Sequence, residues 1–271
     1  MKNLTTAFSM VWGNFTVLPC PYKRWDSKLN NLMLALLPLV GAVIGGLWLL
    51  LVEGMELVIS GFPHSASMTH LISLAATFYI YAVCGFMHMD GFMDCNDAIL
   101  SRRPLEDRQR ILKDSTVGAF AVVTVVFLVL AFYVSMDSLL EQALRTCPRL
   151  LWGLFLLPVM SRGTAAMGVL VHRPIGHSQY NKSFGEQGKQ KYIGMVLLLM
   201  VAAVLAAAYF AGPFWWVCLT DGALVLLAGC IAMERARRNL GGMSGDIAGY
   251  TICWSELAGV LGLAVLAGLS G

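Results

Sequence analysis

The sequence predicts an all-α polytopic membrane helix bundle with about seven transmembrane helices and an N-terminal amphipathic segment, and three observations carry that prediction. Hydrophobic residues make up 58% of the 271 positions and charged residues 13%, with a mean hydropathy of +0.70. A water-soluble domain carries about 25% charged residues, so this chain has too little polar material to cover a globule in water. The apolar residues also come in runs long enough to cross a bilayer, which takes about 20 residues of helix. Finally, Lys and Arg fall almost entirely in short connecting segments between those runs.

At the N-terminus, Lys2 is followed by a segment broken by Thr5, Thr6, Ser9, Gly13 and Asn14, which is not the pattern of a signal peptide. Leu4, Phe8, Val11, Trp12 and Phe15 recur at helical spacing, as in an amphipathic helix lying in the membrane interface. Spans follow at 33–53, 68–86, 117–136, 150–171, 192–211, 214–233 and 252–270. Only the Gly212-Pro213 turn separates the fifth from the sixth, so these two form a helical hairpin. No internal repeat or low-complexity segment divides the chain, and residues 1–271 are read as a single integral membrane domain. The seven cysteines are scattered without a CxxC pair; they read as small hydrophobes, and neither a disulfide nor a zinc site is expected.

Loop charge orients the bundle. With the N-terminus in the cytoplasm, the cytoplasmic segments hold Lys2, Lys23, Arg24 and Lys28, then Arg102, Arg103, Arg108, Arg110 and Lys113. Arg173, Lys182, Lys189, Lys191, Arg235, Arg237 and Arg238 complete sixteen of the nineteen basic residues. The outer loops hold Arg145 and Arg149, and Arg162 lies inside a span. By the positive-inside rule, loops 87–116, 172–191 and 234–251 face the cytoplasm and the C-terminus lies outside the cell (inner) membrane. These cations are loop anchors rather than a nucleic-acid patch, so the expected macroscopic partner is the lipid bilayer; a homo-oligomer stays open.

The chemistry concentrates after the second span. Asp90, Asp94 and Asp97 stand at i, i+4 and i+7, which on a helix puts three carboxylates on one face. Three such groups repel one another unless a cation sits among them, and hard oxygen ligands suit Mg²⁺, which is commonly held by one or two carboxylates plus substrate phosphates. The bland alternative is a solvated acidic loop. His88 could be a general base, a phosphate donor or a structural contact. Downstream, Arg102, Arg103, Arg108, Arg110 and Lys113 could neutralise a pyrophosphate, although most serve equally well as anchors; Lys113 and Asp114 are the better functional candidates. A second polar cluster, Asn239 to Asp246, carries three glycines whose backbone N–H groups could approach a phosphate, and Asp246 could add a metal ligand. Arg162 and Glu256 lie within spans, where an ionisable residue is costly and reads as functional by default.

Four segments resemble one family. Gly85 to Ala98 is similar to the G-x-x-H-x-D-G-x-x-D-x-x-D-A signature of the cobalamin synthases (adenosylcobinamide-GDP ribazoletransferases), and Lys113 to Phe120 to their K-D-S-x-x-G-A-F. Pro38 to Gly45 and Gly245 to Gly249 also match family-like elements in the right order. Where the family pattern carries two glutamates after the last of these, this chain has Cys253 and Glu256. The resemblance implies a phosphoryl-group transfer joining adenosylcobinamide-GDP to α-ribazole or its 5′-phosphate, with Mg²⁺ as cofactor. It implies metal ligation by Asp90, Asp94, Asp97 and Asp246, and catalytic roles among His88, Asp90, Lys113, Asp114 and Arg162. A CDP-alcohol phosphotransferase is the nearest rival enzyme, but its D-G-x-x-A-R start is not met at Asp94 and Cys95. An ion or solute transporter is the rival of a different class.

Overall fold

The structure, a computed structural model, describes residues 2–20, 22–59, 66–176 and 189–270. Residues 177–188, most of the 172–191 loop with its Lys182, lie outside the described residues. Eleven α-helices are followed in chain order: α1 (Lys2–Phe15), α2 (Asn30–Ala35), α3 (Leu37–Ile59), α4 (Ala66–Ala82), α5 (Met87–Leu100), α6 (Leu105–Ile111), α7 (Ala119–Thr146), α8 (Trp152–Val171), α9 (Lys189–Ala211), α10 (Trp215–Leu240) and α11 (Gly245–Ser270). Among the described residues the sole β feature is an isolated bridge between Pro174 and Met243. The all-α membrane bundle expected from the sequence is what the chain forms.

By length and composition, five stretches can cross a membrane, or six if the bent α4–α5 pair is one span. That count takes Lys189–Leu240 as a single stretch, but α9 and α10 fold back on each other. A methyl group on Gly222 of α10 would sit 3.7 Å from Val204 Cγ2 of α9, and Gly212 takes φ +59° in the turn between them. The expected 68–86 span is the one that departs most. Its helix stops at Ala82 because Gly85 and Phe86 both turn into the left-handed region, at φ +60° each. A bulky side chain rarely adopts that conformation. Here α5 leaves at 79° to α4, and the bend is held by Val17 N–H, which donates to Val83 O at 2.9 Å. α1 is the expected amphipathic helix: Ala7, Met10 and Val11 are buried and Leu4 is exposed.

α8 is the centre of the bundle, with 78% of its span buried against 28% for α3 and for α7; α3, α9, α10 and α11 all pack on it. Gly41 and Gly45, four residues apart on α3, explain how closely α3 can approach. A methyl group at either would overlap the backbone, at Pro158 O and Phe155 O respectively. Inside a membrane no hydrophobic force drives helices together, and small residues that let backbones touch supply the dispersion contact instead. Gly45→Leu is therefore expected to lower the melting temperature of the protein in detergent, since such overpacking costs about 1–3 kcal/mol or more. An unchanged melting curve would show that α3 has room to move away.

At one end of the bundle three connecting segments interlock. Arg108 of α6 donates to Asn239 Oδ1 at 2.7 Å, and Gln109 Nε2 donates to Leu240 O at 2.8 Å, which satisfies a carbonyl at the end of α10. Ile175 N–H donates to Met243 O at 3.0 Å and Met243 N–H to Arg173 O at 2.9 Å. The loops around 101–118, 172–176 and 241–244 therefore meet on a single face, which is where the functional residues gather.

Candidate active site

α5 and α11 cross with backbones nearly in contact. A Cβ on Gly91 would lie 2.8 Å from Asp246 Cα, and one on Gly249 would lie 2.9 Å from His88 O. Glycine at both positions is a steric requirement, not a matter of flexibility. Phe92 locks the rotation of α5 by stacking on Tyr250, with ring centroids 5.8 Å apart, and by meeting Trp254. That rotation sends Phe92, Cys95 and Ala98 into the core and leaves Asp90 exposed and Asp94 half-buried at the loop end. Asp246, from the start of the last helix, arrives beside them. Its Oδ2 accepts from Ser244 Oγ at 3.3 Å.

The carboxylates feel one another. Burial first, and then the charges of Asp90, Asp246 and Asp97, push the Asp94 carboxyl up to about 7. Among the described residues no three His, Cys, Asp or Glu side chains form a ready metal-holding group. The array is looser than a preformed cage.

Asp97 differs from the expected third metal ligand. Its Oδ2 accepts from Gly118 N–H at 2.7 Å and its Oδ1 from Ala121 N–H at 3.0 Å. Both oxygens are turned to the first turn of α7, whose N–H groups have no partner within the helix. The Lys113–Phe120 segment is thus tied to the acidic helix through this carboxylate. Gly118 is required there, since a Cβ would come within 2.5 Å of Asp97 Oδ1. Gly118→Ala is expected to displace the cap and cost about 1–2 kcal/mol of stability, the range of a lost helix cap. Thermal unfolding measures it, and a wild-type midpoint would contradict the tie.

The other expected residues fall into distinct groups. His88 is buried on the inner side of the array and, with Asp90 and Asp246, lines one recess. Lys113 is exposed. Asp114 is also exposed and accepts from Thr116 N–H at 3.0 Å, a turn bond that holds its carboxyl below the usual range. Arg102 and Arg103 are exposed, whereas Arg110 is paired with Asp107 at 2.7 Å. The three glycines of 239–246 have structural duties. Gly241 takes φ +78° to end α10, Gly242 makes room for Ile175, and Gly245 opens α11.

Arg162, the charge expected inside a span, faces a carboxylate. It is fully buried, and its Nη1 lies 2.5 Å from Glu256 Oε1, which also accepts from Ser161 Oγ at 2.9 Å. Its Nη2 meets Cys84 Sγ at 3.2 Å. The last helix begins at Gly245 rather than at 252, so Glu256 sits three turns in and not one. Cys253, at the position where the family pattern carries a glutamate, donates its thiol to His88 O at 3.4 Å. Sequence reasoning missed Cys84, Ser161 and the paired glycines Gly91 and Gly249. A glycine at the polar end of an apolar helix hints at close packing, but nothing local says against what.

Comparison with known proteins matches this sequence to a family over nearly the whole chain. The sequence model of cobalamin-5-phosphate synthase matches residues 7–264. An adenosylcobinamide-GDP ribazoletransferase of Clostridium perfringens (strain 13 / Type A) is 33% identical over 269 residues, covering 98% of this chain and 100% of that protein. Proteins of the same name from Clostridium botulinum (strain Alaska E43 / Type E3) and Halalkalibacterium halodurans are 31% and 29% identical, over 96% and 95% of this chain and 97% and 94% of their own. No solved structure gives a significant match. The acidic signature on α5, its tie to the start of α7 and the full-length similarity together make this chain a member of the cobalamin-5-phosphate synthase family.

Proposed function

We propose that the chain is an adenosylcobinamide-GDP ribazoletransferase whose active site is the acidic array at the α5–α11 crossing. A ribose hydroxyl of α-ribazole, or of its 5′-phosphate, attacks the cobinamide-side phosphorus of adenosylcobinamide-GDP. A new phosphorus–oxygen bond forms, the bond to the bridging oxygen breaks, and GMP leaves with that oxygen while the hydroxyl proton passes to a base. The products are adenosylcobalamin or its 5′-phosphate, and GMP. The observation that carries this reading is the convergence of Asp246 on Asp90 and Asp94.

Asp90, Asp94 and Asp246 are the residues that would hold Mg²⁺. An array with too few close ligands for a cage suits an ion that takes one or two carboxylates and completes its shell with substrate phosphates and water. When bound, Mg²⁺ supplies neutralisation of the pyrophosphate charge. Asp90, the most exposed of the three, is positioned to take the hydroxyl proton. Arg102, Arg103 and Lys113 stand on the same face to draw in an anionic substrate. Arg162 is not a phosphate contact in this reading, because its charge is matched by Glu256. The concentration of basic residues at this end supports a cytoplasmic site by the positive-inside rule, with the C-terminus across the cell membrane. A site at the bundle's end also differs from transport sites, which lie near mid-depth.

The test is GMP release by the purified protein given adenosylcobinamide-GDP, α-ribazole and Mg²⁺. Cobamide formation is expected, and it should stop on chelation and return with added Mg²⁺. A wild-type protein that forms no cobamide refutes the assignment.

A further inference from the structure

Beneath the acidic rim lies a recess of about 160 Å³ that phosphate and metal chemistry leave unused. Asp90 and Asp246 stand at it and His88 forms a polar wall, while Phe15 of α1, Leu34 of α2, Leu37 of α3 and Val169 of α8 make apolar walls. His88 is 7% exposed, and its Nε2 has no hydrogen-bond partner among the described residues. A buried polar atom normally has a partner, so this nitrogen lacks one that a ligand could bring. The size is informative too. A cavity of about 150 Å³ holds a benzene ring, so this recess has room for one flat aromatic group and none for a corrinoid ring or a whole nucleotide.

We propose that the recess seats the outer ring of the aromatic base of the nucleoside nucleophile, the rest of the base reaching its open side, with His88 Nε2 bonded to a hydroxyl of its ribose. The inference rests on the transferase reading above and extends it to the second substrate. A hydroxyl can donate or accept, so it satisfies either tautomer of His88. With the base between Leu34, Leu37 and Val169, the ribose lies at the Asp90–Asp246 edge, where the attacked phosphorus must be.

Three variants test the seat by separate KM values for the two substrates. Val169→Phe narrows the recess and is expected to raise KM for α-ribazole about 10-fold or more, the scale on which apolar pockets discriminate, while KM for adenosylcobinamide-GDP stays within about 2-fold. His88→Ala should raise the same KM about 10-fold. Val169→Ala, a truncation at a half-buried position, should shift kcat/KM toward a riboside with a bulkier aromatic base by about 10-fold relative to α-ribazole. Should Val169→Phe fail to fold, the Val169→Ala preference decides. If wild-type enzyme turns over but Val169→Ala keeps the wild-type preference, or the KM values of both substrates move together, the seat is wrong. If the wild type releases no GMP, the transferase reading itself has failed.

Discussion

Asp94→Asn is expected to reduce Mg²⁺-dependent turnover by on the order of 10²–10³-fold, the usual cost of removing one preorganised stabiliser of transition-state charge. The variant should fold as well as the wild type. Asp94 is half-buried among like charges that push its carboxyl up to about 7, so an uncharged amide relieves repulsion rather than breaking a contact. Asp97→Asn should behave in the opposite manner. Asp97 spends both oxygens on Gly118 and Ala121 N–H groups, and an amide has only one acceptor oxygen, so the loss falls on stability, by about 1 kcal/mol. Its Mg²⁺ dependence should change little. GMP release measured across a range of Mg²⁺ concentrations, beside melting curves for both variants, separates the two roles. Full activity in Asp94→Asn would remove that residue from the metal site.

Glu256→Leu is expected to cost about 3–5 kcal/mol, because it strands the fully buried Arg162 charge. Most of the protein should then be lost during purification in detergent. The double variant Arg162→Met, Glu256→Leu should recover much of the stability, since replacing both partners of a buried pair by apolar groups is often neutral or better. Recovered protein that still turns over would show that the pair holds α8 against α11 and takes no part in chemistry. A Glu256→Leu protein as stable as wild type would contradict the pair's structural weight.

Most of the fold was legible because membrane spans are written locally in hydropathy. The end of α4 was not, since the bend at Gly85–Phe86 is held by Val17, far away on the N-terminal segment. The start of α11 was placed seven residues late because Gly245 to Thr251 is less apolar than the remainder of the helix, although it packs closely on α5. The acidic stretch announced itself by spacing alone. Spacing could not say that Asp97 faces a helix start 21 residues on, so three equivalent carboxylates became two plus a cap. Arg162 and Glu256 each stood out as charges inside spans, yet their pairing joins residues 94 apart, which no local pattern records. The apolar walls of the recess include Phe15 of α1, Leu34 of α2, Leu37 of α3 and Val169 of α8, and each of these by itself is an ordinary apolar side chain.

The crossing of α5 and α11 also fixes when in the life of the molecule the acidic array can assemble. Ribosomal synthesis delivers α5 long before α11, so a nascent chain carries Asp90 and Asp94 with the Gly91 surface bare. Asp246 is delivered only when α11 is made. A chain arrested before α11 therefore lacks both a complete acidic array and a cover for the Gly91 face of α5.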